Sequence, residues 1–322
     1  KDMAQSDPRV KGVIYASITA FFWGFLAIAL KVASGLLDPL TIVWFRFLVA
    51  FSALFIYYSI YKPAYLKILL NPPLYIIIAS LGLGINYIGF LYGLKLTTPG
   101  TAQIIIQTGP IFLGMVGLVF FKETISRRQG IGFLIAGIGL YLFYRQGISR
   151  MVQNEDIFNM GVLWILVAAM AWVVYATFQK MLLKSYPAMQ LNLFLFGLPV
   201  LLFLPFIKPA GFLTLTPVNW MLMVYLGLNT LIAYGCLAMA FKYLEANKIS
   251  IIITMNPILT FVFMGMLAYF EVSWIEPEVL SVKSLVAALL VLIGAIMAVA
   301  FANPAKRKEL KDIIPKQKHA DH

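Results

Sequence analysis

The sequence predicts an all-α polytopic membrane protein, with ten transmembrane helices in two inverted five-helix repeats and both termini in the cytoplasm. Three observations predict it. Of 322 residues, 61% are apolar and only 12% charged, far from the balance of a soluble domain. The apolar runs are continuous and close to the roughly 20 residues that cross a bilayer, whereas barrel strands would alternate over about ten. The third observation is a duplication. A shift of 149 pairs Gly12, Ala20, Trp23, Lys31 and Phe47 with Gly161, Ala169, Trp172, Lys180 and Phe196. It drifts to 147, pairing Lys95, Ile104, Ile105, Ile106 and Pro110 with Lys242, Ile251, Ile252, Ile253 and Pro257, and Glu123 then meets Glu271 at 148. Units with an odd number of spans must lie upside down relative to one another, the architecture of many transporters.

Taken in order, spans 1 and 2 lie at 12–34 and 39–61, divided at Asp38-Pro39. Asn71-Pro72-Pro73 opens span 3 (72–95), Pro99-Gly100 opens span 4 (99–121), and span 5 covers 128–146. In the second copy, span 6 (158–183) ends before Tyr186-Pro187, span 7 (188–207) before Pro209-Ala210-Gly211, and Thr216-Pro217 begins span 8 (217–244). Spans 9 (247–270) and 10 (281–302) complete it. Proline and glycine at these links end helices. The first apolar stretch is too long for a signal-peptide core and is itself a member of the repeat. The chain therefore divides into an N-terminal tail (1–11), two repeats (12–149 and 150–302) and a basic tail (303–322).

The net charge of +12 is a topology signal rather than a nucleic-acid footprint. With the N-terminus inside, 18 of the 25 Lys and Arg fall on the cytoplasmic side, as the positive-inside bias requires. The tail, with Lys306, Arg307 and Lys308, either leans on anionic lipid headgroups or is solvated.

Nothing assembles into an enzyme. No His lies in the membrane region, Cys236 is alone, and no phosphate loop or intramembrane carboxylate pair is present, so neither a metal nor another cofactor is expected. Without ATP-binding motifs, a primary pump is disfavoured as well.

Ala20-Phe21-Phe22-Trp23-Gly24, followed by Lys31, Pro39 and Arg46-Phe47, resembles the first two helices of the drug/metabolite transporter superfamily, specifically its EamA-type exporters. Thr97-Thr98-Pro99 and Gly109-Pro110-Ile111 through Lys122-Glu123 resemble that family's fourth helix, and Asn256-Pro257-Ile258 through Glu271 its ninth. The resemblance implies helices 1 to 4 and 6 to 9 around a central cavity, with 5 and 10 packed outside. It also supplies the substrate class, an amino acid or similar amphipathic metabolite, and favours export. The segment from Val272 to Glu278 departs from its counterpart in the first repeat by its length, and an extracytoplasmic lip is expected there.

Polar groups inside hydrocarbon are the first place to look for a pathway. Asn86 and Tyr87 on span 3, Gln103 and Gln107 on span 4, Asn229 and Tyr234 on span 8, and Thr254 and Asn256 on span 9 fall on corresponding helices of the two copies. They line a cavity or bond helix to helix. Trp23 and Trp172, at matched depths, form with Tyr87 and Tyr175 an aromatic box or plain core. Arg46, matched by Leu195, binds an anionic group, latches a gate or snorkels outward. Lys31 is a boundary charge or a gate partner of Asp38. Pro110 and Pro257 each remove a mid-helix hydrogen bond, giving a hinge or a static kink, and the glycines are read as packing sites.

The sequence thus predicts an alternating-access carrier, exporter or exchanger, in a bacterial-type inner membrane. A monomer is expected, with a small-molecule substrate and membrane lipid as its partners and no nucleic acid. With every carboxylate near a helix end, transport driven by the substrate's own gradient is expected. The alternatives are uptake of a nucleotide-derived or quaternary-amine metabolite, and a non-transporting receptor or scaffold.

Overall fold

The computed structural model describes residues 8–109, 112, 126–150, 155–244, 249, 252–276 and 281–300. Its helices of seven or more residues are α1 (Pro8–Ala33), α2 (Pro39–Tyr61), α3 (Leu74–Leu96), α4 (Pro99–Ile105), α5 (Arg127–Arg150), α6 (Glu155–Leu182), α7 (Ala188–Phe203), α8 (Pro217–Tyr243), α9 (Asn256–Tyr269) and α10 (Val282–Ala300). Among the described residues there is no strand. By length and composition α1, α2, α3, α6, α7 with its 3-10 extension to Phe206, and α8 are able to cross a membrane, while α9 and residues 282–297 are shorter apolar helices.

The breaker dipeptides act as helix starts. Asp38 accepts from the amides of Leu40 and Thr41 at 3.2 Å, Thr98 from Thr101 at 3.2 Å and Thr216 from Asn219 at 3.3 Å. Each is followed by a proline at the first helical position, where the missing N–H is no loss. At the end of α9, Glu271 has φ 51°. Its amide bonds Ala268 O and that of Val272 bonds Leu267 O, both at 3.1 Å, which is a Schellman stop.

Contacts at the helix ends define two faces. The start of α1 meets the end of α8, with Tyr15 stacked on Tyr243 at 6.1 Å, and the ends of α2 and α6 and the start of α7 border one pocket at this first face. At the second face, Lys31 near the end of α1 donates to Leu94 O (3.0 Å), Lys95 O (3.1 Å) and Thr97 O at the end of α3. A Cβ on Gly161, near the start of α6, would lie 2.7 Å from Thr97. Helices α1, α2 and α3 therefore run opposite to α6, α7 and α8, their counterparts in the duplicated sequence.

Small residues set the closest helix pairs. Gly82, Gly89 and Gly93 turn one face of α3 to α6, where an added Cβ on each would lie 2.9 Å from Ala171 O, 3.0 Å from Trp164 O and 2.4 Å from Ile165 respectively. Gly139 and Gly294 bring α5 and α10 together in the same way. Such approaches replace the missing hydrophobic drive between helices in lipid.

Spans 4 and 9 are not the continuous helices the apolar runs predict. After Ile105 the chain tightens, with Gln107 N bonding Ile104 O at 3.2 Å and Gly109 N bonding Ile106 O at 2.9 Å. The second copy turns at Thr254 and Met255 before α9 starts at Asn256. The two interruptions occupy matched positions of the duplication, each before a proline. Pro257 is the cause in α9, because it leaves Ile253 O without its helical donor; Pro110 lies outside the described residues, as does the whole basic tail (303–322).

Candidate functional site

A cavity of about 90 Å³ lies at mid-depth between the copies, room for about three waters at roughly 30 Å³ each. Trp23, Leu26 and Leu30 of α1 form one wall, spaced at three and four residues so that they share a helix face. Arg46 of α2, with Asn86, Tyr87 and Phe90 of α3, forms a second. Trp172 of α6 and Tyr234 of α8 face them, and the two helix breaks add Gln103, Ile106 and Gln107 on one side and Ile253 and Asn256 on the other. The aromatic rings interlock: Tyr234 lies 5.2 Å from Trp23, 5.4 Å from Tyr87 and 5.7 Å from Tyr175.

Arg46 is turned into the protein and is 2% exposed, so it does not snorkel. Its Nε donates to Thr230 Oγ1 at 3.2 Å, and the guanidinium lies 4.3 Å from the centre of the Tyr87 ring. A ring face and a hydroxyl offset part of the cost of a buried cation, which is about 2.5 to 3.5 kcal/mol near mid-membrane on insertion scales, yet neither carries a negative charge. The described acidic residues, Asp38, Glu155, Asp156, Glu271 and Glu276, all sit at helix ends or in links.

The remaining polar residues divide by whether their hydrogen bonds are already used. The middle of α1 is gripped from three sides. Gln103 donates to Trp23 O at 2.9 Å, Asn229 to Phe22 O at 3.1 Å and Thr260 to Gly24 O at 2.6 Å. With its amide nitrogen facing these acceptors, Asn256 donates to Ala20 O at 3.0 Å and to Ile253 O at 3.1 Å. Asn86 likewise holds Ala168 O of α6 at 2.9 Å. Against this, Gln107 Oε1 and Trp172 Nε1 have no protein partner although buried, and the Tyr87 hydroxyl lies beside Thr230 and Tyr234 without completing a bond to either. A cation, an N–H donor, an amide acceptor and a phenol thus face one small space.

The EamA-like transporter family matches residues 10–145 and again 159–300. The chain belongs to this family. An uncharacterized transporter of Haemophilus influenzae is 31% identical over 289 residues, covering 89% of this chain and 94% of that protein. The uncharacterized inner membrane transporter YhbE of Escherichia coli K12 is 30% identical over 289 residues, covering 88% and 89%. A solved crystal structure aligns with TM-score 0.64 over 92% of this chain and 99% of that one, at 17% identity, a likeness of fold alone. The chain is accordingly a multi-pass helical membrane protein and a member of a transporter family.

In this EamA-family chain, nine of the twelve residues singled out from sequence border the cavity: Trp23, Arg46, Asn86, Tyr87, Gln103, Gln107, Trp172, Tyr234 and Asn256. Tyr175 is fully buried behind Tyr234, Asn229 is turned to α1, and Thr254 is buried in the α9 break; none of these three borders the cavity. Lys31 is engaged by carbonyls at the end of α3 and Asp38 by the start of α2. Sequence reasoning missed the apolar lining, Leu26, Leu30, Phe90, Ile106 and Ile253, because apolar residues carry no contrast in an apolar chain. Thr230, a polar residue of span 8, stands outside this lining and holds Arg46 in it.

Proposed function

We propose that this chain is an alternating-access inner-membrane carrier, exporter or exchanger, for a small amphipathic metabolite bearing a carboxylate, most simply an amino acid. One observation carries the substrate class: a buried guanidinium without a carboxylate partner shares a cavity with the unpartnered Trp172 Nε1 and Gln107 Oε1. A carboxylate placed against Arg46 and the indole N–H supplies the missing charge and acceptor, an ammonium or hydroxyl satisfies Gln107, and the Trp23, Phe90 and Ile106 walls take the apolar part. A quaternary amine fits less well, since Arg46 repels it. Two inverted repeats of five helices, spanning 12–149 and 150–302, are supported by the doubled family match and by the opposite running of α1 to α3 and α6 to α8. The paired breaks at Gln107 and Thr254 give each copy a loosened span beside the cavity, as rocking between two faces requires.

The experiment is a thermal-shift screen of purified protein against amino acids, amines, nucleosides and organic anions, followed by counterflow of the best ligand in proteoliposomes. Binding to the folded state raises apparent stability. Stabilisation by carboxylate-bearing solutes with saturable counterflow is expected. Stabilisation by amines or nucleosides alone would reject the substrate class, and binding without counterflow would leave a receptor rather than a carrier.

A further inference from the structure

A second pocket, larger than the central cavity, lies away from it. A pocket of about 930 Å³ opens at the first face between α2, α7 and α8, the face that the positive-inside count assigns to the cytoplasm. Three exposed lysines, Lys62, Lys184 and Lys242, stand at its rim, and among the described residues no acidic side chain lines it. Below them are Tyr57, Tyr65 and Tyr186, the residue type that sits at the headgroup boundary; Lys62 Nζ lies 5.4 Å from the centre of the Tyr65 ring.

The floor is apolar and deep. Leu231 lies eleven residues before Lys242 on α8, about 16 Å at 1.5 Å per residue, which is one leaflet of a hydrocarbon core about 30 Å thick. Ala53 and Leu54 reach a similar depth on α2. Beside the pocket, Ile56 and Ile60 of α2 and Ile232 of α8 are exposed at 59%, 66% and 39%, so the walls continue into a lipid-facing surface. We infer that this pocket is a binding site for an anionic phospholipid of the cytoplasmic leaflet, with the phosphate among Lys62, Lys184 and Lys242 and an acyl chain lying against Leu54 and Leu231. Basic pockets between helices at this level suit such headgroups. The site is independent of what the central cavity carries.

The test is native mass spectrometry of delipidated protein titrated with phosphatidylglycerol and, separately, phosphatidylcholine of the same chains. Wild type should retain phosphatidylglycerol about tenfold more strongly, and the triple variant K62Q/K184Q/K242Q should lose that preference. K67Q, a charge change on the same face outside the pocket, should keep it. If the triple variant melts at a lower temperature than wild type, the three single variants are compared instead, each expected to weaken the preference. Equal retention of the two lipids, a preference that survives removal of the lysines, or displacement of phosphatidylglycerol by a soluble phosphate or carboxylate would each overturn the assignment.

Discussion

Asn256 donates its side-chain amide to Ile253 O at 3.1 Å, the carbonyl that Pro257 leaves without a helical N–H. The helix break is thus stabilised by the residue next to the proline that causes it, and the same amide fastens the break to Ala20 O of α1. Asn256→Leu should therefore cost about 1 to 4 kcal/mol, one local and one interhelical bond at about 0.6 to 2 each, read as a lowered melting temperature in detergent.

Pro257→Ala restores the missing donor. The helix should continue through residues 253–257, raising the melting temperature while slowing transport if the break is a hinge. An unchanged counterflow rate in the variant would show the break to be a static kink.

Glutamines one turn apart are predicted to behave differently. Gln103 holds α1 by Trp23 O, so Gln103→Ala should lower stability. Gln107 presents an unpartnered Oε1 to the cavity and spends only its Nε2, on Gln103 O one turn back at 3.3 Å, so Gln107→Ala should lower the melting temperature less than Gln103→Ala does but weaken substrate binding roughly tenfold, the loss of one hydrogen bond to a charged group. Isothermal titration on both variants separates the two roles.

Glycine substitutions test the packing. A Cβ on Gly294 would lie 2.3 Å from Ala136 N, whereas one on Gly137 meets nothing within 4 Å. Gly294→Ala should separate α5 from α10 and destabilise by more than about 1 kcal/mol, while Gly137→Ala should stabilise by up to about 1 kcal/mol. Glu271→Gly should likewise stabilise, by about 1 kcal/mol, by relieving the left-handed backbone at the Schellman stop.

The fold was legible because its signals are large: continuous apolar runs, cap-proline starts and a repeat carried by Trp, Lys, Pro and Glu. The membrane class followed from them, whereas the family came from a resemblance carried by short motifs such as Ala20 to Gly24 and Gly109-Pro110-Ile111. Most of the site was legible too, since a polar residue stands out in an apolar span. What sequence could not separate was polar residues already spent on helix contacts, such as Asn86 between Ala168 O and the Tyr234 hydroxyl, from those with an open atom, such as Gln107, because both look alike until their neighbours are placed. The helix breaks were anticipated only as loosened turns, since a proline specifies a missing hydrogen bond but not how the preceding turn closes.

The central claim is that Arg46 recognises a substrate carboxylate. Its most direct test is counterflow in proteoliposomes of an amino acid that wild type carries, set beside the matching amine that lacks only the carboxylate, for wild type and Arg46→Gln. The account predicts that wild type exchanges the amino acid and not the amine, and that Arg46→Gln, still folded by its melting curve, loses amino-acid exchange by at least about tenfold. Equal exchange of the two solutes by wild type, or undiminished amino-acid exchange by the variant, would contradict it.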